Sequence, residues 1–183
     1  MSDERTTELL TRFARLIAAD GYEYGLKPVQ WQALRYLASA NRFSRTPKGL
    51  TAWLGQTKGS VSQTISALEK KQLVERRSDA VDGRVVRLAL TVKANALLAS
   101  SPPMAAQMLS HLSERERSWL EQLIENMLRS QLATADQQPF GQCRNCRHFK
   151  HGGGGKEGHF CTLLEVRLSD AHSQQICIEQ EAA

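Results

Sequence analysis

The sequence predicts a mainly α chain with one small β wing, an α+β arrangement in which a helix-turn-helix runs directly into a hairpin. Three observations carry this. Apolar residues recur at helical spacing on either side of Gly55. Residues 74–77 and 85–90 are β-rich runs around a Gly-containing turn. Further helical stripes flank this unit on both sides.

In chain order, residues 4–19 place Leu9, Leu10, Phe13, Leu16 and Ile17 on one helical face, and Asp20-Gly21 is expected to end that helix. A second helix is expected over 28–38, with Val29, Trp31, Ala33, Leu34 and Leu37 available for burial. Trp31, Tyr36 and Trp53 read as core or pocket walls. Thr46 and Pro47 supply the cap and first residue of a helix over 47–54, with Leu50, Trp53 and Leu54 on its apolar face. Gly55 ends it and Thr57 caps the next. In that next helix Val61, Ile65 and Leu68 face inward. Lys58, Ser60, Ser62, Gln63, Ser66 and Lys70 occupy the other face, with no carboxylate until Glu69. Hydroxyls, an amide and cations can meet base edges and phosphates in a major groove, and they also suit an ordinary solvated face.

The hairpin tip is Asp79-Ala80-Val81-Asp82-Gly83-Arg84. Gly83 permits a tight turn, and Arg84 beside it is placed to enter a narrow minor groove, where negative potential is enhanced. Asp82 is expected to hold the tip by pairing with a nearby Arg. Thr91 caps a helix to about residue 99, and Ser101-Pro102-Pro103 interrupts it because neither Pro offers an N–H. A short helix over 104–111 follows. Ser113 and Glu116 then form a capping box for a helix striped by Leu120, Leu123, Ile124, Met127 and Leu128.

Basic charge is concentrated on the helix-turn-helix and wing. Residues 42–93 hold eleven Lys/Arg against four Asp/Glu, in a chain of net charge +5, which fits a polyanionic partner. No apolar stretch is long enough to span a bilayer and no signal peptide precedes the first helix, so a cytoplasmic location without a membrane partner is expected.

The run from Val61-Ser62 through Leu68-Glu69, Leu73-Val74-Glu75-Arg76-Arg77 and Asp82-Gly83-Arg84 to Leu90-Thr91 resembles the signature of the MarR family of winged-helix transcription factors. The upstream run LKPVQWQALRYL matches the family's preceding helix, and the resemblance covers about residues 5–132. It implies a homodimer built from the terminal helices, with two recognition helices on a two-fold symmetric operator. It also implies that small aromatic effectors bind between the dimer core and the DNA-binding lobe. One departure is Gln72, where the family usually has Gly. A non-Gly residue there takes a left-handed cap at a steric cost, or the helix ends differently.

Residues 133–142 read as a linker, small and polar with Pro139 and Gly141, so the chain divides into a winged-helix and dimerisation domain over 1–132, with DNA contacts in 46–91, and a module over 143–183. That module holds all four cysteines, Cys143, Cys146, Cys161 and Cys177, spaced C-x2-C-x14-C-x15-C. Residues 152–155 form a glycine tract, and few aliphatics are present, so a staple is needed. Disulfides are disfavoured in a reducing cytoplasm except as a switch. Structural Zn2+ takes four thiolates, and the Cys143–Cys146 knuckle suits it. An iron–sulfur cluster also takes four thiolates and tolerates dispersed ligands. Cys143-Arg-Asn-Cys146, then His159-Phe-Cys161 and Cys177, resembles small [4Fe-4S] modules such as the small subunits of some glycyl-radical enzymes. A [4Fe-4S] cluster is therefore placed ahead of zinc, with His148, His151 and His159 as alternate ligands.

The expected function is a dimeric, sequence-specific regulator of transcription, acting as a repressor, and not an enzyme. Ser60, Ser62, Gln63 and Ser66 would meet base edges, Lys48, Lys58, Lys70 and Arg76 would neutralise phosphates, and Arg84 would probe the minor groove. A cysteine-bound cluster would make DNA affinity redox- or metal-responsive by altering the tail beside the dimer helices. The competing reading is an electron-transfer protein that uses its winged domain for protein docking.

Overall fold

Hydroxyl caps set the starts of most of the long helices. Thr46 Oγ1 accepts from Gly49 N (3.0 Å), Thr57 Oγ1 from Ser60 N (3.2 Å), Thr91 Oγ1 from Ala94 N (3.2 Å) and Ser113 Oγ from Glu116 N (3.4 Å). Glu116 Oε2 reaches back to accept from Ser113 N at 2.8 Å, closing the capping box. The Ser113 hydroxyl also donates to Glu116 Oε2 at 2.6 Å, and this bond, with that of the Ser113 N–H, holds the Glu116 carboxyl below its ordinary range. The computed structural model describes residues 3–19, 24–79, 82–135, 140–153 and 158–181. The expected stop at Asp20-Gly21, Ala80-Val81 of the tip and 154–155 of the glycine tract lie outside them.

The elements are α1 (Asp3–Ala19), α2 (Pro28–Ser39), α3 (Pro47–Leu54), α4 (Lys58–Lys70), β1 (Val74–Ser78), β2 (Val86–Leu90), α5 (Val92–Ser100), α6 (Met104–Leu109) and α7 (Glu114–Thr134). The α6 helix stops two residues short of the expected 111. Strands β1 and β2 pair antiparallel, with Val74 opposite Leu90 and Arg77 opposite Arg87. The core gathers Trp31, Leu34 and Leu37 of α2, Leu50 of α3, Val61, Ile65 and Leu68 of α4, and Leu88 of β2. Tyr36 is buried with them and donates its hydroxyl to Ser44 O at 2.7 Å. Burial pushes the Tyr36 phenol well above its ordinary pKa.

Helix α4 ends in a left-handed residue despite lacking glycine. Gln72 sits at φ 60°, with Gln72 N bonded to Glu69 O (2.8 Å) and Leu73 N to Leu68 O (3.0 Å). That is a Schellman closure. The Thr91 hydroxyl also donates to Gln72 O at 2.8 Å, so the hairpin end fastens the cap.

The faces of α1 and α7 stay uncovered within one chain. Leu9, Leu10, Phe13 and Leu16 are exposed, as are Trp119, Leu123, Ile124, Met127 and Leu128.

The tail corrects the expected linker at both ends. Helix α7 continues to Thr134, and residues 141–142 are already paired. Strand β3 (Gly141–Gln142) lies antiparallel to β7 (Ile176–Cys177), with a 3-10 turn at Cys143–Asn145. Strands β4 (Phe149–His151), β5 (His159–Cys161) and β6 (Val166–Leu168) form an antiparallel meander, followed by the short helix α8 (Asp170–Ser173). The tail is also not packed on its own. Ile178 enters the main core, Ala40 bridges Ile176, and the Phe140 ring lies 4.5 Å from that of Trp53. The scarcity of aliphatics in the tail is thus met partly by the body of the protein.

Candidate nucleic-acid interface and cysteine site

The inward stripe of α4 is buried as its spacing predicts, so the residues between must face out. Lys58, Ser60, Ser62, Gln63 and Lys70 are exposed and Ser66 is half-buried. The Ser60 hydroxyl lies 3.0 Å from that of Thr57, within the cap. Two cations expected at phosphates are engaged elsewhere. Lys48 Nζ lies 3.6 Å from Glu179 Oε1 of the tail, and Arg76 Nε lies 3.1 Å from Glu69 Oε1. Both pairs are solvent-exposed and weak, so a phosphate can displace them.

The wing is built by carboxylates. Asp82 Oδ1 accepts from Arg84 N (3.0 Å) and Arg84 Nε (3.1 Å), which gives Asp82 its expected Arg partner. The Arg84 side chain is nevertheless 92% exposed at the tip. Asp79 Oδ1 accepts from Asp82 N (3.1 Å) and Asp79 Oδ2 from Arg87 Nε (2.6 Å). Arg87 Nη1 donates in turn to Phe43 O at 2.6 Å, tying the wing to the loop between α2 and α3. The sequence reading missed Arg87; its place in β2 opposite Arg77 carries no local sign that it turns back onto residue 43.

All four cysteines line one small pocket, with His148, Phe149, Leu168 and Glu179 among its walls. The Cys143–Cys146 knuckle is closed by Cys146 N donating to Cys143 O (3.1 Å), and Phe149 N donates to Cys146 O (2.9 Å). Cys161 ends β5 and Cys177 lies in β7. The Cys143 thiol donates to the Cys177 sulfur. That bond pulls Cys177 down to about 6 against the opposing effect of burial, and the Glu179 backbone, Asn41 and Ser44 add to it. Donating that bond, together with burial, pushes Cys143 up. Among the described residues, no group of three or more His, Cys, Asp or Glu converges closely enough for a single metal ion. Of the alternate histidines, His148 lines the pocket. His159 is buried, with Nε2 2.8 Å from Asp170 Oδ1, and it stacks with His151 and Phe149 instead.

A second cavity of about 190 Å³ lies between α3, α7 and the tail, walled by Trp53, Leu128, Arg129, Leu132, Phe140 and Gln180. No described helix is long and apolar enough to cross a membrane.

A helix-turn-helix followed at once by an antiparallel hairpin defines the winged-helix class. Within it, residues 24–85, from the approach to α2 to the start of β2, match the model of the MarR family, whose members are transcriptional regulators and not enzymes. Solved structures share the fold. A MarR/EmrR family transcriptional regulator from Acinetobacter sp. ADP1 is 22% identical with a TM-score of 0.57, covering 73% of this chain and 99% of its own. The S. aureus MepR–DNA complex is 24% identical with a TM-score of 0.52, covering 71% and 98%. The regulator BldR from Sulfolobus solfataricus is 21% identical with a TM-score of 0.51, covering 70% and 99%. Among curated proteins, none matches the chain.

Proposed function

We propose that this protein is a dimeric, sequence-specific DNA-binding repressor of transcription whose cysteine tail holds a metal group. The observation that carries the reading is the joint presentation of the outer face of α4, with Lys58, Ser62 and Gln63, and of the exposed Arg84 at the wing tip. A helix face of amide, hydroxyls and cations fits a major groove, and an arginine on a neighbouring hairpin fits the adjacent minor groove. The MepR–DNA complex, of the same fold, supports DNA as the ligand. The bare apolar faces of α1 and α7 support a homodimer, since exposed patches of this kind mark association surfaces. The cavity beside Trp53 and Phe140 supports a small aromatic effector.

Four sulfurs around one pocket suit a thiophilic metal. A [4Fe-4S] cluster, which tolerates dispersed ligands, is placed ahead of a single zinc ion.

The test selects binding sites from random double-stranded DNA with the full-length protein, then titrates the enriched site at several salt concentrations. Arg84→Ala should weaken binding at every salt concentration and reduce the slope of log K against log salt by about 1. Failure to enrich any sequence, or a wild-type affinity for Arg84→Ala, would sink the reading and favour a redox protein that docks to another protein.

A further inference from the structure

The loop of residues 40–46 joins α2 to α3 and touches two parts of the protein at once. On one side it meets the cysteine tail. Asn41 Nδ2 donates to Cys143 Sγ at 3.3 Å, Asn41 N donates to Ile176 O at 2.9 Å, and Ile178 N donates to Ser44 Oγ at 3.1 Å. On the other side it holds the root of the wing. Phe43 O accepts from Arg87 Nη1 at 2.6 Å, and Arg45 O accepts from Leu88 N at 2.7 Å. Within the loop, Asn41 Oδ1 accepts from Ser44 N at 2.8 Å.

Asn41 is thus the hinge pin of both sides. Its amide is one rigid plane, with the nitrogen on a cysteine sulfur and the oxygen on the loop backbone. It is 1% exposed and Ser44 is fully buried, so neither can turn to water when a partner is lost. A bound metal would hold the Cys143 sulfur as a thiolate, to which an amide N–H bonds more strongly than to a protonated thiol or a disulfide sulfur. If the sulfur moves or loses its charge, the buried amide must find another acceptor. Rotating it withdraws Oδ1 from Ser44 N, which keeps only its longer bond to Asn41 O at 3.1 Å. The carbonyls of Phe43 and Arg45, on either side of Ser44, are then held less firmly, and these are the carbonyls that grip Arg87 and Leu88.

We infer that the loop of residues 40–46 couples the four-cysteine pocket to the wing through Asn41, so that a filled site holds the wing ordered and an emptied or oxidised site releases it. This rests on the reading that the tail holds a metal group and the wing meets DNA. It assigns the signal to the wing root in addition to the dimer helices. Linkage makes the effect reciprocal: whatever factor the filled site adds to DNA affinity, bound DNA adds to retention of the metal group.

The test reads the wing without DNA. Hydrogen exchange of the full-length protein is compared between anaerobically purified material and the same material after ferricyanide and EDTA. That treatment strips iron–sulfur or zinc and oxidises the thiols left. The Leu88 amide, whose acceptor is Arg45 O, should exchange about tenfold faster after treatment, a mid-range allosteric coupling. Amides in the middle of α7 should not change. In Asn41→Asp, which keeps the oxygen but replaces the N–H donor, the ratio between the two states should collapse to below about twofold. Arg87→Met cuts the relay on the wing side, away from the cysteines. It should collapse the ratio for the Asp82 and Val85 amides in the same way, so the test stands even if Asn41→Asp does not fold. Arg84→Ala should keep the wild-type ratio while losing DNA affinity. A wild-type Leu88 rate that is equal in both states, with the Cys143 and Arg147 amides changed, overturns the coupling and leaves the DNA-binding reading intact. Absence of DNA binding with the ratio preserved does the reverse.

Discussion

Arg87→Met tests the wing root most directly, because the substitution keeps the aliphatic stem and removes only the guanidinium. Two bonds go: Nε to Asp79 Oδ2 and Nη1 to Phe43 O, both 2.6 Å. Hydrogen bonds involving a charged group contribute about 1.5–3 kcal/mol each, and context usually halves the sum. The Arg87 and Asp79 side chains are 23% and 19% exposed, so solvent screens the pair only in part. The carboxylate left behind also loses its countercharge within a partly dry site. A loss of about 2–3 kcal/mol follows, which for a urea m-value of roughly 2 kcal/mol/M is a midpoint shift of about 1–1.5 M. Urea unfolding at one fixed protein concentration measures it, since dimer stability depends on concentration. The control is Arg77→Met. Arg77 pairs with Glu75 at 2.9 Å, but those side chains are 64% and 49% exposed, so the expected loss is under about 0.5 kcal/mol. Equal shifts for the two variants would refute the claim that Arg87 clamps the wing.

Three further outcomes follow from the fold. Gln72→Gly should stabilise the protein by about 0.5–1 kcal/mol in the same urea assay, because relief of the left-handed backbone outweighs the added freedom of the unfolded chain; no gain would mean that the Thr91 bond already offsets the strain. Gly49→Ala should destabilise by about 2 kcal/mol or more, since its Cβ would meet Ser44 O at 2.2 Å and Tyr36 Oη at 2.6 Å, and the carbonyl is backbone that cannot step aside. A folded variant of wild-type midpoint would show that the corner between α2 and α3 yields. Leu123→Glu puts a charge on the bare face of α7 and should shift sedimentation from dimer toward monomer; an unchanged mass would place the dimer contact elsewhere.

The legible parts of this protein are the local ones. Each cap sits one turn from the amide it satisfies, and the stripe of Val61, Ile65 and Leu68 needs only the helical repeat to be read. The Asp82–Arg84 contact spans two residues and could be anticipated for the same reason. The illegible parts join distant positions. Asn41 and Cys143 are 102 residues apart, and Ser44 and Ile178 are 134 apart. An Asn after a helix reads as a terminator, and nothing in its neighbourhood says that its amide will face a sulfur. Lys48 looked available for phosphate because composition counts charges and not their partners; Glu179 reaches it only once the tail is docked. The linker expected over 133–142 overlaps regular structure at both ends, because 133–134 are small and polar yet still helical and strand β3 is only two residues long.

The metal group proposed for the tail is constrained by how far apart four sulfurs must sit. Zinc bound tetrahedrally at about 2.3 Å requires every pair of sulfurs to approach within about 3.8 Å. All four cysteines border the same pocket, and among the described residues no three of them close into a single-ion group. A cubane cluster holds its cysteines at its corners, farther from one another than a single ion can, and the pocket, about 20 Å³ as it stands, would have to widen to admit one. Surrounding Phe149, Leu163, Leu164 and Leu168 would keep water from the sulfurs. Anaerobically purified protein should therefore contain about four iron and four sulfide per chain, with a broad visible absorption that bleaches on reduction. Cys161→Ser should lower the iron content while leaving the capped helices α3, α4 and α7 folded by circular dichroism, because their caps are made by Thr46, Thr57 and Ser113, away from β5 in sequence. About one zinc per chain in a colourless protein would instead require Cys146 and Cys161 to move inward on binding. The pocket would then be a folding staple, and the relay through Asn41 would report zinc occupancy in place of redox state.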